Sequence, residues 1–177
     1  LKHVLFDITQ FGIGNIFLSG AAFVEPRYFN SSLMEERALR RHMMKGLAFV
    51  GETCMPKIIV ERDLRELLMC GGELDRRCPR GSTARLVAHP GDIYNSAMDI
   101  QDVPRPHQCG DAADCQVLLA VGPEAGWDDP DLELLKAAGF MQVSCGPRIL
   151  RSDVAVISLM ALAQDLLHSW AQVLADP

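Results

Sequence analysis

No two cysteines in this chain are spaced as a CxxC pair. The six lie at Cys54, Cys70, Cys78, Cys109, Cys115 and Cys145. Spacing this irregular over 177 residues fits reduced intracellular thiols rather than a disulfide framework. His107, Cys109 and Cys115 could be drawn as metal ligands, but a solvent-exposed loop that contains them is the simpler reading, and no metal is expected. Basic charge is not in excess either. Lys and Arg number 17 against 23 Asp and Glu, a net charge of −6. That is the wrong sign for a generic nucleic-acid binder, so any such contact must come from a local basic patch, a second domain or a partner. Long hydrophobic runs are missing too. The longest, Val154 to Ala163, is broken by Ser158 and is too short to span a bilayer. No signal peptide is visible, so an intracellular protein without a membrane partner is expected, in the cytoplasm or an organelle. Repeats and low-complexity tracts are absent. The chain opens at Leu1 rather than methionine, as in a fragment, a processed form or part of a longer protein.

What is present reads as one ordinary domain over residues 1–177. Hydrophobic residues make up 49% and charged residues 23%, enough for a real core. LKHVLFDITQFG reads as a helix stopped by Gly12, and IGNIFLS as a short strand. Ser32 with Glu35 makes a capping box for a long helix through EERALRRHMMKGLAFV. On that helix Arg37, Arg40, Arg41 and Lys45 share a face; this is a solvated face or an RNA-phosphate patch. KIIVE and ARLVA are further strands, with the short helix DLRELLMC between them. Residues 91–114 show no periodicity and are expected to be a long loop or insertion.

QVLLAV (Gln116 to Val121) is a continuous apolar run, expected to be a strand buried on both faces. Asp129 is a candidate helix cap, with Pro130 next and Gly139 at the helix end. FMQVS is another strand. Asp153 to Leu174 is a final helix, apolar around much of its circumference near its start, belonging to the core alone or shared with a dimer interface. Strands alternate with helices, so the class is α/β with a mainly parallel sheet and helices on both faces.

Two segments carry the chemistry. VGPEAGW (Val121 to Trp127) and SCGPRILRSDVA (Ser144 to Ala155) each read as strand, glycine-bearing loop, then helix. Such loops at the carboxyl ends of strands are where an open α/β sheet holds a small molecule. His89 and Pro90 follow an earlier strand. Together these segments resemble the ribosomal RNA small subunit methyltransferase E family of the SPOUT superfamily, whose loops read GPEGG and LGxRILRxETA. The resemblance runs from about Val4 to the C-terminal helix.

It implies an α/β knot, with the chain threaded through itself as a C-terminal trefoil. It implies S-adenosyl-L-methionine as cofactor, held largely by backbone groups. His89 and Pro90 would form one wall; Gly122, Pro123, Glu124 and Gly126 a second; Cys145, Gly146, Pro147, Ile149 and Leu150 the adenine slot. It implies Arg151, Glu124 and Asp153 at the reacting centre, with Arg151 steadying uracil or a phosphate. Its salt-bridge partner would be Asp153. Arg148 joins Arg37, Arg40, Arg41 and Lys45 as a candidate RNA contact. The implied reaction is methylation of uridine N3 in small-subunit ribosomal RNA by a homodimer.

The chain also departs from the family pattern. Ala125 stands for a glycine, and Asp153 and Val154 stand for Glu-Thr. Asp7 and Gln10 replace a lysine and a glutamate, and EQxxR is shortened into GETC (Gly51 to Cys54). The family's N-terminal RNA-binding barrel has no counterpart here. Two readings stand: an active rRNA methyltransferase, or a relative that has lost catalysis and acts as a scaffold or assembly factor in a ribosomal particle.

Overall fold

Every strand pairing among the described residues is parallel, the outcome expected when each strand returns through a helix. The computed structural model describes residues 1–89, 97–110, 114–146 and 148–175. β1 (Asn15–Ser19) pairs with β2 (Lys57–Glu61). A second sheet has the order β4-β6-β3-β5, formed by β3 (Thr83–Ala88), β4 (Met98–Asp99), β5 (Gln116–Val121) and β6 (Met141–Ser144). The helices are α1 (Lys2–Ile8), α2 (Glu36–Val50), α3 (Leu64–Leu67), α4 (Glu73–Arg77), α5 (Asp129–Ala137) and α6 (Ser152–Ala175). The fold is α/β with mainly parallel sheets.

Alternation along β3 builds two cores. Ala84 and Leu86 face one side, with Leu159, Ala163, Leu166 and Trp170 of α6. Val87 faces the other, with Leu135 and Ala138 at α5 and Phe140. β3 is thus the strand buried on both faces. The sequence reading gave that place to β5. β5 does pack on both sides, Val117, Leu119 and Val121 against the α6 core and Leu118 and Ala120 against the α5 core, but these side chains are only half-buried, because β5 is an edge strand among the described residues. A third cluster joins α1, α2 and β1 through Leu5, Ile8, Ile16, Leu39 and Met43. The two helices approach closely at Gly46, where a Cβ would collide with the Phe6 carbonyl and the Thr9 hydroxyl.

Arg85 brings charge into β3. It is only 2% exposed, and its guanidinium donates to Asp75 Oδ1 of α4 at 2.6 Å. It also donates to the carbonyls of Cys78 at 2.7 Å and Ala138 at 2.9 Å. One side chain therefore ties β3 to the ends of α4 and α5.

Several local expectations are corrected. Ser32 does not cap α2. Residues Ser32–Met34 form a separate 3-10 turn, and extended Glu35 is the N-cap, with no side-chain bond. The cap of α5 is Asp128, whose carboxylate accepts from Asp131 N at 2.8 Å, so Asp129 lies one position inside the helix. The segment expected to be a loop contributes β4 and a 3-10 turn, Ile100–Asp102, and buries Ile100 and Val103 against the sheet. Residues 91–96 and 111–113 lie outside the described residues. Cys109 and Cys115 are joined as a disulfide, against the expectation of reduced thiols throughout; burial at the start of β5 brings the two together. Among the described residues, no three His, Cys, Asp or Glu side chains converge as a metal site.

By length and composition α6 could cross a membrane over Ser152–Val173, which the run Val154 to Ala163 alone did not indicate. In this structure it serves as a core helix along one side, with Leu159, Ala163, Leu166 and Trp170 buried.

Candidate functional site

Register decides where the loops meet. Ala88, the last residue of β3, lies opposite Val121 at the end of β5 and opposite Val143 near the end of β6. The three chains leaving these strands therefore emerge side by side at one edge of the sheet. They are the segments singled out by sequence: His89 after β3, Gly122 to Gly126 after β5, and Cys145 with Gly146 after β6.

Backbone bonds shape this edge. His89 N donates to the Val143 carbonyl at 3.1 Å, which fastens the β3 exit to β6. The β5 loop turns through Gly126 N donating to the Pro123 carbonyl at 2.9 Å, with Glu124 and Ala125 exposed at its tip. Trp127 then folds back. Its Nε1 donates to the Ala88 carbonyl at 3.2 Å, and its ring covers Gly122, where a Cβ would lie 3.0 Å from the indole. Gly122 is required by that close approach. Gly146 differs. Its φ of +119 suits glycine alone, yet among the described residues no atom beyond its chain neighbours lies within 4 Å of the place a Cβ would take. The β6 loop thus offers bare backbone to open space.

The segment after Gly146 stands out in solvent. Ile149 is 88% exposed and Arg148 is exposed, while Leu150 is half-buried. Arg151 Nη2 meets Asp153 Oδ2 at 2.8 Å, the ion pair anticipated from the sequence. The Arg151 carbonyl accepts from Ala155 N at 2.8 Å, so this residue opens α6. Pro90 and Pro147 lie outside the described residues.

The basic residues of α2 form a second feature. Arg37, Arg40, Arg41 and Lys45 line one open depression with Met44 and Ala48. Lys45 continues into a neighbouring hollow with Lys2, His3 and Phe6 of α1, and with His42. Partial burial pushes His42 below its ordinary value, and Arg41, Lys45, Lys2 and His3 push it further. The sequence reading missed Lys2 and His3 because they join the patch only through α1–α2 packing, and it passed over His42, which α2 itself carries beside Lys45. It also gave no role to Trp127, although the indole stood inside the quoted motif.

The RNA methyltransferase domain family model matches residues 1–164. This chain belongs to that family. It is 25% identical over 177 residues to Ribosomal RNA small subunit methyltransferase E of Treponema pallidum (strain Nichols), an alignment covering all of this chain and 62% of the relative. The protein of the same name from Synechocystis sp. is 46% identical over 54 residues, 30% of this chain and 18% of the relative. The crystal structure of a Ribosomal RNA small subunit methyltransferase E from Neisseria gonorrhoeae bound to S-adenosyl methionine has the same fold. The TM-score is 0.71 at 21% identity, covering 93% of this chain and 60% of that one. The chain thus spans about three fifths of the length of the Treponema and Neisseria proteins.

Proposed function

We propose that this chain transfers a methyl group from S-adenosyl-L-methionine to ribosomal RNA, at uridine N3 of the small-subunit RNA, inside the cell and as a homodimer. The observation that carries this reading is the convergence of three loops at the exits of β3, β5 and β6. The donor set fits the cofactor. Bare backbone at Gly146, the tight turn at Gly122 to Gly126 and the free aliphatic surface of Ile149 are what a nucleoside with a polar edge and an apolar face requires. In this reading the chain threads as a trefoil knot around the same loops.

When bound, S-adenosylmethionine supplies an electrophilic methyl on a sulfonium. The protein's part is positioning. His89 and the Gly122 to Gly126 turn would wall the cofactor; Cys145, Gly146, Ile149 and Leu150 would take its adenine. Arg151, oriented by Asp153, would hold uracil as its N3 proton passes to solvent water, and would stabilise the developing anion that takes the methyl from the sulfonium. Glu124, exposed at the loop tip, would face the same centre. The basic face of α2, with Arg148, would bind phosphates and supply the local positive field that an acidic chain needs.

The second reading, a scaffold that keeps the cofactor fold without turnover, is favoured by one feature: the Arg151 side chain is 80% exposed, without the enclosure that strengthens a catalytic charge. Calorimetric titration with S-adenosylmethionine tests the shared premise. We expect the wild type to bind and Gly146→Val to abolish binding while the chain still folds, with a lowered melting temperature, since a β-branched residue is strained in that backbone conformation. No binding by wild type at millimolar ligand would remove the enzyme reading.

A further inference from the structure

Where α1 packs on α2, four side chains that carry or can take a positive charge share one hollow. Lys2 and His3 of α1 meet His42 and Lys45 of α2 around the Phe6 ring, in a cavity of about 250 Å³. Close helix packing brings them together. Gly46 admits the Phe6 carbonyl where a Cβ would collide, and Thr9 Oγ1 donates to the Met43 carbonyl at 3.5 Å. Phe6 is half-buried and stands edge-on to Phe49, with ring centroids 6.1 Å apart. It gives the hollow an apolar wall. Charges of one sign beside a wall of low dielectric focus their field rather than losing it to water.

No carboxylate answers these charges. Asp7, the acidic residue of α1, and Glu36, the acidic residue of α2, both lie outside the lining. The 3-10 turns packed on α2, Thr9–Phe11 and Ser32–Met34, carry no titratable group. Every charged neighbour that acts on His42 is cationic or can become so: Arg41, Lys45, Lys2 and His3. Among the described residues, neither Lys2 nor Lys45 is ion-paired. An anion would complete such a site. Lys45 lines both this hollow and the depression with Arg37, Arg40 and Arg41. The positive surface is therefore a continuous track, which suits the repeating phosphates of a strand better than one isolated anion.

We propose that the α1–α2 hollow holds a phosphodiester of the bound RNA, with Lys2 and Lys45 as fixed charges and His3 and His42 as charges gained on binding. This rests on the RNA methyltransferase reading and extends the phosphate track of α2 onto α1. The histidines make the contact proton-linked. In the free protein, burial and cationic neighbours hold His42 below its ordinary value, so its ring is neutral at neutral pH. A phosphodiester supplies the missing opposite charge and favours the imidazolium. Binding therefore takes up protons and tightens as pH falls.

The test is fluorescence anisotropy at constant ionic strength with a labelled oligouridine of about 12 nucleotides, whose bases do not titrate in the range used. Lowering the pH from about 8 to about 6 should tighten wild-type binding about tenfold. His3→Gln with His42→Gln should bind as the wild type does at the higher pH and gain less than about twofold at the lower. Lys45→Ala should weaken binding at both and flatten the slope of log affinity against log salt by about one. S-adenosylmethionine affinity should match the wild type in every variant, which reports on their folding. Uridine monophosphate at about millimolar concentration should not displace the RNA. If it does, with the same response to pH, the hollow is a mononucleotide site and the proposal is overturned. If the double variant keeps the wild-type response to pH, the hollow is overturned and the enzyme reading survives. If the wild type binds no RNA at either pH, both fall.

Discussion

Arg151 is the residue on which catalysis and mere folding part company. Its guanidinium stands in solvent beside Asp153, and no other hydrogen bond to its side chain is present among the described residues. Removing an exposed pair of this kind costs little stability. Arg151→Ala should therefore leave the melting temperature nearly unchanged. If the side chain steadies the uracil anion, the same change should lower turnover by about a hundredfold or more, and cofactor affinity by much less. Arg151→Lys should recover little, because a point charge does not reproduce a planar fork. Single-turnover methylation rates beside cofactor titrations check this, and equal rates for all three proteins would remove Arg151 from the reaction.

At the scale of elements, the clasp through Arg85 makes the sheet sensitive to acid. Burial alone would raise the Asp75 carboxyl, but the Gly71 amide, Arg85 and Arg80 outweigh it and hold the carboxyl below the usual aspartate range. A folded-state value below the unfolded one favours the charged form in the fold. Its stabilisation is present above the ordinary aspartate value and is lost as pH falls through the lowered one. Asp75→Asn should destabilise the chain by about 3 kcal/mol at neutral pH, because it leaves Arg85 buried without a counter-charge. It should also flatten the acid side of the stability profile. Chemical denaturation at several pH values checks both effects.

These elements also mark how far the sequence could be read. Most of the strand and helix order was legible because β1, β2, β3, β5 and β6 are short apolar runs between clear stops, but α4 was not read, because ELDRR carries a single apolar residue. The loops at Gly122 and Gly146 were legible because glycine and proline fix turns locally. Long-range partnership was not. Nothing in QVLLAV distinguishes an edge strand from a central one, and nothing near Arg85 announces that Asp75 will meet it. The Cys109–Cys115 pair and β4 were hidden for the same reason: tertiary burial, not local pattern, orders that segment. Ala22 meeting Asp131 across the fold is likewise invisible along the chain.

At the scale of the whole molecule, charge and apolar surface are unevenly shared. An acidic chain gathers Arg37, Arg40, Arg41 and Lys45 on one helix face, as a protein does when one side must meet a polyanion. α6 carries apolar character around much of its length, yet only 22% of its apolar stretch is buried within the single chain. We expect a second copy to cover part of that surface. Sedimentation at micromolar concentration should give a dimer, and Val154→Asp, at a side exposed to 48%, should shift it toward monomer. A wild-type monomer under those conditions would leave the α6 surface to a different subunit.

The most direct test is methyl transfer itself. Small-subunit ribosomal RNA lacking its native base methylation, free and in assembled particles, is incubated with this protein and S-adenosylmethionine labelled in the methyl group, and the RNA is digested to nucleosides. We predict label in N3-methyluridine, lost in Arg151→Ala and Gly146→Val. Cofactor binding by the wild type with no label in any nucleoside of either substrate would contradict the enzyme reading and leave a scaffold that keeps the fold of a methyltransferase.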